Sequence, residues 1–98
     1  MSKYKLRGWL VPAVGECRVI EIDNTLEALQ AAVGGYIETV RLAPDLIGIV
    51  NEEGRILGLA RNTHFSGIVG DMLVVGEDGE EFRSLSDMEI GILRRFMS

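Results

Sequence analysis

The chain has one cysteine, one histidine and two prolines among its 98 residues, and each scarcity closes off a class of chemistry. A single thiol, Cys17, forms no internal disulfide, so a reducing compartment, the bacterial cytoplasm, is the expected location. One Cys and one His do not supply the four ligands of a structural zinc site, and no acidic run has the spacing of a calcium loop. Neither a metal nor a cofactor is expected. Positive charge is also short: 10 Lys and Arg stand against 15 Asp and Glu, a formal charge of −5. Binding nucleic acid without regard to sequence needs a basic surface, so nucleic acid is not an expected partner. No apolar run approaches the roughly 20 residues that cross a bilayer, and no membrane partner is expected. The run from Met1 to Trp9 is basic without a long apolar core behind it, so it does not read as a secretory signal. The glycines do not make a phosphate loop. Gly34-Gly35 ends a helical pattern instead of beginning one, and no Lys-Ser or Lys-Thr follows Gly67 or Gly70.

What is present is a globular composition, 47% hydrophobic and 26% charged, sufficient for one domain over residues 1–98. A chain this short buries only about 60–65% of its unfolded surface. Its own core is therefore modest, and a homo-oligomer is expected. The acidic groups Glu52-Glu53, Glu77-Asp78 and Glu80-Glu81 fall at turns and read as solvated surface.

Apolar spacing outlines the elements. Tyr4 to Val11 reads as a strand, Pro12 to Glu16 as a turn, and Cys17 to Ile22 as the second arm of a hairpin. Asn24 with Glu27 has the spacing of a capping box. It opens a helix whose inward face is Leu26, Leu29 and Val33, stopped by Gly34-Gly35. Tyr36 to Leu42 alternates as a strand. Leu46 to Val50 and Arg55 to Ala60 read as a hairpin turned by Asn51 to Gly54. Asp71 to Gly76 is a short apolar strand, and Glu81 to Leu85 a short edge strand. Ser86 caps a last helix with Glu89 at the capping-box position, a buried stripe of Leu85, Met88, Ile92 and Phe96, and Arg94-Arg95 suited to the helix dipole. The order ββαβββ(β)α predicts an α+β fold, a mostly antiparallel sheet with two helices. Trp9, the only tryptophan, fits either a core position or an oligomer interface.

The densest chemistry is the irregular segment Arg61-Asn62-Thr63-His64-Phe65-Ser66. Arg61, Thr63 and Ser66 suit a phosphate, and Phe65 suits stacking on a base. Arg61, Asn62, Thr63, His64 and Ser66 are therefore the candidate ligand-binding residues. The alternative is a polar loop whose Asn and Thr satisfy their own backbone, with Phe65 as a core plug. His64, Ser66 and Cys17 lack the spacing of a nucleophile–base pair, and no catalytic residue is assigned.

Four stretches occur in one order: Glu21-Ile-Asp-Asn-Thr-Leu-Glu-Ala-Leu-Gln30, Val33-Gly-Gly-Tyr-Ile-Glu38, Asn51-Glu-Glu-Gly-Arg-Ile-Leu-Gly-Leu59 and Ser84-Leu-Ser-Asp-Met-Glu-Ile90. Together they resemble a family of short domains of unknown function encoded by bacteriophages, plasmids and integrative elements. The resemblance runs from about residue 16 to the end. Where that family has Leu-Pro-Pro-Asn, this chain has Leu59-Ala60-Arg61-Asn62, which keeps the asparagine without the two prolines that would stiffen the loop. The resemblance implies an accessory protein of a mobile element. It carries over no catalytic residue. The reading that follows is a non-enzymatic protein acting by stoichiometric binding, with a small phosphorylated ligand of host defence as the expected partner. The alternatives are an interaction module that inhibits a host protein and a small hydrolase using His64.

Overall fold

The computed structural model describes residues 5–97; Tyr4, expected to begin the first strand, lies outside the described residues. Six strands and two helices follow one another as β1 Lys5–Val11, β2 Arg18–Asp23, α1 Leu26–Val33, β3 Ile37–Ala43, β4 Leu46–Asn51, β5 Met72–Asp78, β6 Glu81–Arg83 and α2 Asp87–Phe96. The fold is α+β in the order expected. All strand pairings are antiparallel, in the spatial order β2-β1-β5-β4-β3, with β6 added alongside β5. β1 pairs with Met72 to Val74 of β5, and β6 pairs with Gly76 to Asp78. β1 and the short β6 share one side of β5. Their ends are joined where Leu85 N–H donates to Arg7 O at 2.9 Å and Arg7 N–H donates to Ser84 Oγ at 2.9 Å.

Side chains alternate across a strand, so one sheet feeds two cores. Leu6, Leu10, Ile47, Ile49, Leu73 and Val75 meet Leu29 and Val33 of α1 on one face. Trp9, Val11, Val50, Met72 and Val74 meet Leu85, Ile90 and Leu93 on the other. The two helices thus cover opposite faces. β5 is central and buried on both sides, so its run Met72-Leu-Val-Val75 shows no polar alternation. Trp9 is core, with 1% of its surface exposed. Among the described residues its indole N–H has no hydrogen-bond partner.

Three expectations are corrected. The cap of α1 is Thr25, whose Oγ1 accepts from Ala28 N–H at 3.1 Å, and not Asn24 with Glu27. The helix frame moves by one residue, and Leu26 turns outward while Leu29 and Val33 stay buried. Residues 52–58 are turns, and Arg55 to Ala60 is not a strand. Both flanks of β4 are already taken by β3 and β5, which leaves no ladder for a returning hairpin arm. Asn51 diverts the chain: its Nδ2 donates to Val33 O at 3.1 Å and its Oδ1 accepts from Glu53 N–H at 2.8 Å. The same side chain explains the double glycine. Gly34 ends α1 at φ 83°, and a Cβ on Gly35 would stand 2.9 Å from Asn51 Nδ2. Finally, the buried face of α2 is Ile90 and Leu93, not Met88, Ile92 and Phe96, which are 76%, 48% and 79% exposed. Two apolar stripes run along this helix. The sheet takes the one that also brings Glu89 to Arg83 and Arg94 to within 5.2 Å of the Trp9 ring.

Candidate functional site

The segment from Ala60 to Gly70 is a narrow excursion from the sheet. An antiparallel bridge joins Arg61 to Val69. It is flanked by Asn62 N–H donating to Ile68 O at 2.8 Å and Gly70 N–H donating to Ala60 O at 2.7 Å. Asn62 is buried, and its side chain organises the turn. Nδ2 donates to Val11 O and Gly70 O, each at 3.0 Å. Oδ1 accepts from His64 N–H at 2.9 Å and Phe65 N–H at 3.0 Å. Both amide hydrogens and both lone-pair directions are in use, so this side chain shapes the loop.

Thr63 ties the loop to the β1–β2 connection. Its N–H and its hydroxyl both donate to Ala13 O at 2.8 Å, which leaves the hydroxyl oxygen able to accept. His64 Nε2 lies 2.5 Å from Gly15 O. A carbonyl oxygen only accepts, so this contact requires the proton on Nε2. Phe65 is half-buried and packs against the core face that holds Trp9, Met72 and Leu93. It does not line the concavity beside it. Arg61 and Ser66 are exposed.

Arg61, Asn62, Thr63, His64 and Ser66 line one concavity of about 690 Å³, with Gly67, Ile68, Val69 and a residue that sequence reasoning missed, Arg55. The turn after β4 carries Arg55 to the loop, where its Nη2 donates to Gly67 O at 3.0 Å. No local pattern announces this, because Arg55 reads as one arm of a hairpin. Among the described residues, its lack of a carboxylate partner sets it apart. Lys5, Arg7, Arg41 and Arg83 are each in an ion pair. Among the described residues neither Arg55 nor Arg61 is, so two uncompensated guanidiniums share one hollow.

A neighbouring hollow of about 450 Å³ shares Arg55, Gly67, Ile68 and Val69, and brings in Glu38 and Glu52. A third, of about 340 Å³, is lined by Trp9, Gly15, Glu16, Cys17, His64 and Arg94. Burial pushes the Cys17 thiol pKa up, which favours the unreactive protonated form.

Residues 6–97 match DUF3846, a domain of unknown function. The chain belongs to this family. No curated protein and no solved structure matches it. The span that matches DUF3846 includes the Arg61–Ser66 loop, Arg55 and both helices. Among the described residues of this DUF3846 domain, no three His, Cys, Asp or Glu side chains gather as a metal site would need. No helix described is long and apolar enough to cross a membrane.

Proposed function

We propose that this DUF3846 domain is a non-enzymatic accessory protein of a phage, plasmid or integrative element, and that it sequesters a small phosphorylated ligand, of the nucleotide type used in host defence, in the bacterial cytoplasm. The observation that carries the reading is the pair of unpaired guanidiniums, Arg55 and Arg61, on one hollow of about 690 Å³. That volume lies within the ~300–1,000 Å³ of small-molecule sites. The lining is polar where drug-like pockets are apolar, which suits an anion. Arginine's planar fork matches phosphate oxygens bidentately. Ser66 Oγ donates to the same oxygens, Thr63 Oγ1 accepts from a ligand hydroxyl or amine, and His64 Nδ1 is free to bond a ligand group. Asn62 holds the loop in shape before the ligand arrives, which lowers the ordering cost of binding. With Phe65 turned into the core, recognition rests on the charged part of the ligand and weakens with salt. The mobile-element origin rests on the resemblance of the ordered sequence stretches.

The test is native mass spectrometry of gently purified protein, followed by calorimetry with linear and cyclic nucleotides. Extra mass of a few hundred daltons per site, or nucleotide binding weakened about tenfold or more by Arg61→Ala and again by Arg55→Ala, is the expected result. Nucleotide binding that is unchanged in the double variant overturns the site, and no nucleotide binding at all overturns the ligand class.

A further inference from the structure

The outer face of α2 carries two parallel ridges at the i, i+4 spacing of neighbours on a helix. The first is Met88, Ile92 and Phe96, exposed by 76%, 48% and 79%. The second is Asp87, Gly91 and Arg95. Gly91 is exposed, and a Cβ added there would meet nothing within 4 Å. A helix face open to water is normally polar. Here the exposed stripe is as apolar as the buried one.

The pattern says what covers it. Reversed end for end, each ridge complements itself. A two-fold axis at the level of Gly91 and Ile92 sets Met88 against Phe96 of a second copy and Ile92 against Ile92. The same operation sets Asp87 against Arg95 and Gly91 against Gly91, where two hydrogens let the helices approach closely. The geometry points to a second copy of this chain as the occupant, in an isologous dimer with the α2 helices antiparallel. Charge agrees. Among the described residues Arg95 is in no ion pair; Asp87 is ion-paired with its own chain's Arg7, yet its side chain stays 90% exposed and open to a second cation. A parallel pairing would set Asp87 against Asp87 and Arg95 against Arg95. An anionic membrane surface is disfavoured by the net charge of −5.

The contact is small. Ten helical residues span about 15 Å, so the buried area falls below that of a standard interface, and the dimer is weak and exchanging. It uses no residue of the Arg61–Ser66 loop, so it stands or falls separately from the proposed ligand.

Sedimentation velocity over a concentration series reaching about 1 mM tests it. The expected result is a monomer–dimer equilibrium abolished by Ile92→Asp, with the circular dichroism spectrum unchanged. Orientation is read in a Cys17→Ser background with a short bis-maleimide. Ile92→Cys links to itself, and Met88→Cys links to Phe96→Cys in a mixture but not to itself. A monomer at every concentration, a dimer indifferent to Ile92→Asp, or self-linking of Met88→Cys overturns the proposal.

Discussion

Arg83 holds Glu89 by two parallel hydrogen bonds of 2.9 Å, one from each terminal guanidinium nitrogen to each carboxylate oxygen. The same carboxylate accepts from Ser86 N–H at 2.9 Å, while Ser86 Oγ accepts from Glu89 N–H at 3.1 Å. One side chain therefore completes the capping box of α2 and fastens that helix to β6. Both partners are partly buried, at 34% and 21% side-chain exposure, so the pair is less screened than the surface bridges elsewhere.

This pair makes stability depend on pH. The Arg83 guanidinium, assisted by the Ser86 bonds, lowers the Glu89 pKa from 4.5 to about 2. A carboxylate depressed in the folded state stabilises the fold above its unfolded pKa, and that contribution fades as pH falls. The window is from about 4.5 down to about 2. Urea titrations at pH 7 and pH 3 should show a lower midpoint at pH 3. Glu89→Gln should cost about 1–3 kcal/mol at pH 7 and flatten that part of the pH profile.

Gly76 is where Arg83 crosses the sheet. The two are direct partners in the β5–β6 ladder, and a Cβ on Gly76 would overlap the Arg83 guanidinium. Gly76→Ala should displace Arg83, cost about 1–3 kcal/mol, and raise the Glu89 pKa toward 4.5 in a carboxyl NMR titration. Combined with Glu89→Gln, the two costs should add to less than their sum, because both variants remove one interaction.

Asn62→Ala should loosen the loop first. It removes four hydrogen bonds around one buried side chain and leaves the carbonyls of Val11 and Gly70 short of a donor. Amide exchange at His64 and Phe65 should accelerate, and global stability should fall by about 2–4 kcal/mol. Unchanged protection of those two amides would mean that other contacts order the turn.

The phase of α2 can be read by paired truncations in dilute protein. Leu93→Ala should cost about 2–4 kcal/mol, because the side chain is buried against the sheet. Phe96→Ala should stay within about 0.5 kcal/mol, because that ring is exposed. The reverse ranking would place the wrong stripe on the core.

Much of the fold was readable from local pattern. Ser86 with Glu89 caps α2 as its spacing predicts. Gly34 stops α1, and the α+β order follows from strand and helix periods. Two misreadings share a cause. On α2, Met88–Ile92–Phe96 and Ile90–Leu93 are both apolar at helical spacing, and spacing alone does not rank them. At Arg55 to Ala60, apolar residues near a turn imitate a hairpin arm, and only the occupied flanks of β4 rule it out.

The loop divides in the same way. Its residue types were visible in sequence, and so was the choice between a binding loop and a self-satisfied one. The structure shows that Asn62 and Phe65 are committed to the loop and the core, while Arg61 and Ser66 stay exposed. It also adds Arg55, which no spacing rule connects to Arg61.

The sequence by itself determined the α+β class, both helix starts to within a residue, the stop of α1, the acidic charge, and the shortage of Cys and His for a zinc site. These depend on composition and on contacts within a turn or two of chain. Tertiary structure alone decided which stripe of α2 faces the sheet, which cations lack a carboxylate, and that two of them share a hollow. Those outcomes depend on pairings such as Arg83 with Glu89 across β6 and α2, and Asn62 with Val11 across 51 positions. Such contacts are set by which surfaces fit when the layers close, and a local pattern carries no record of that choice.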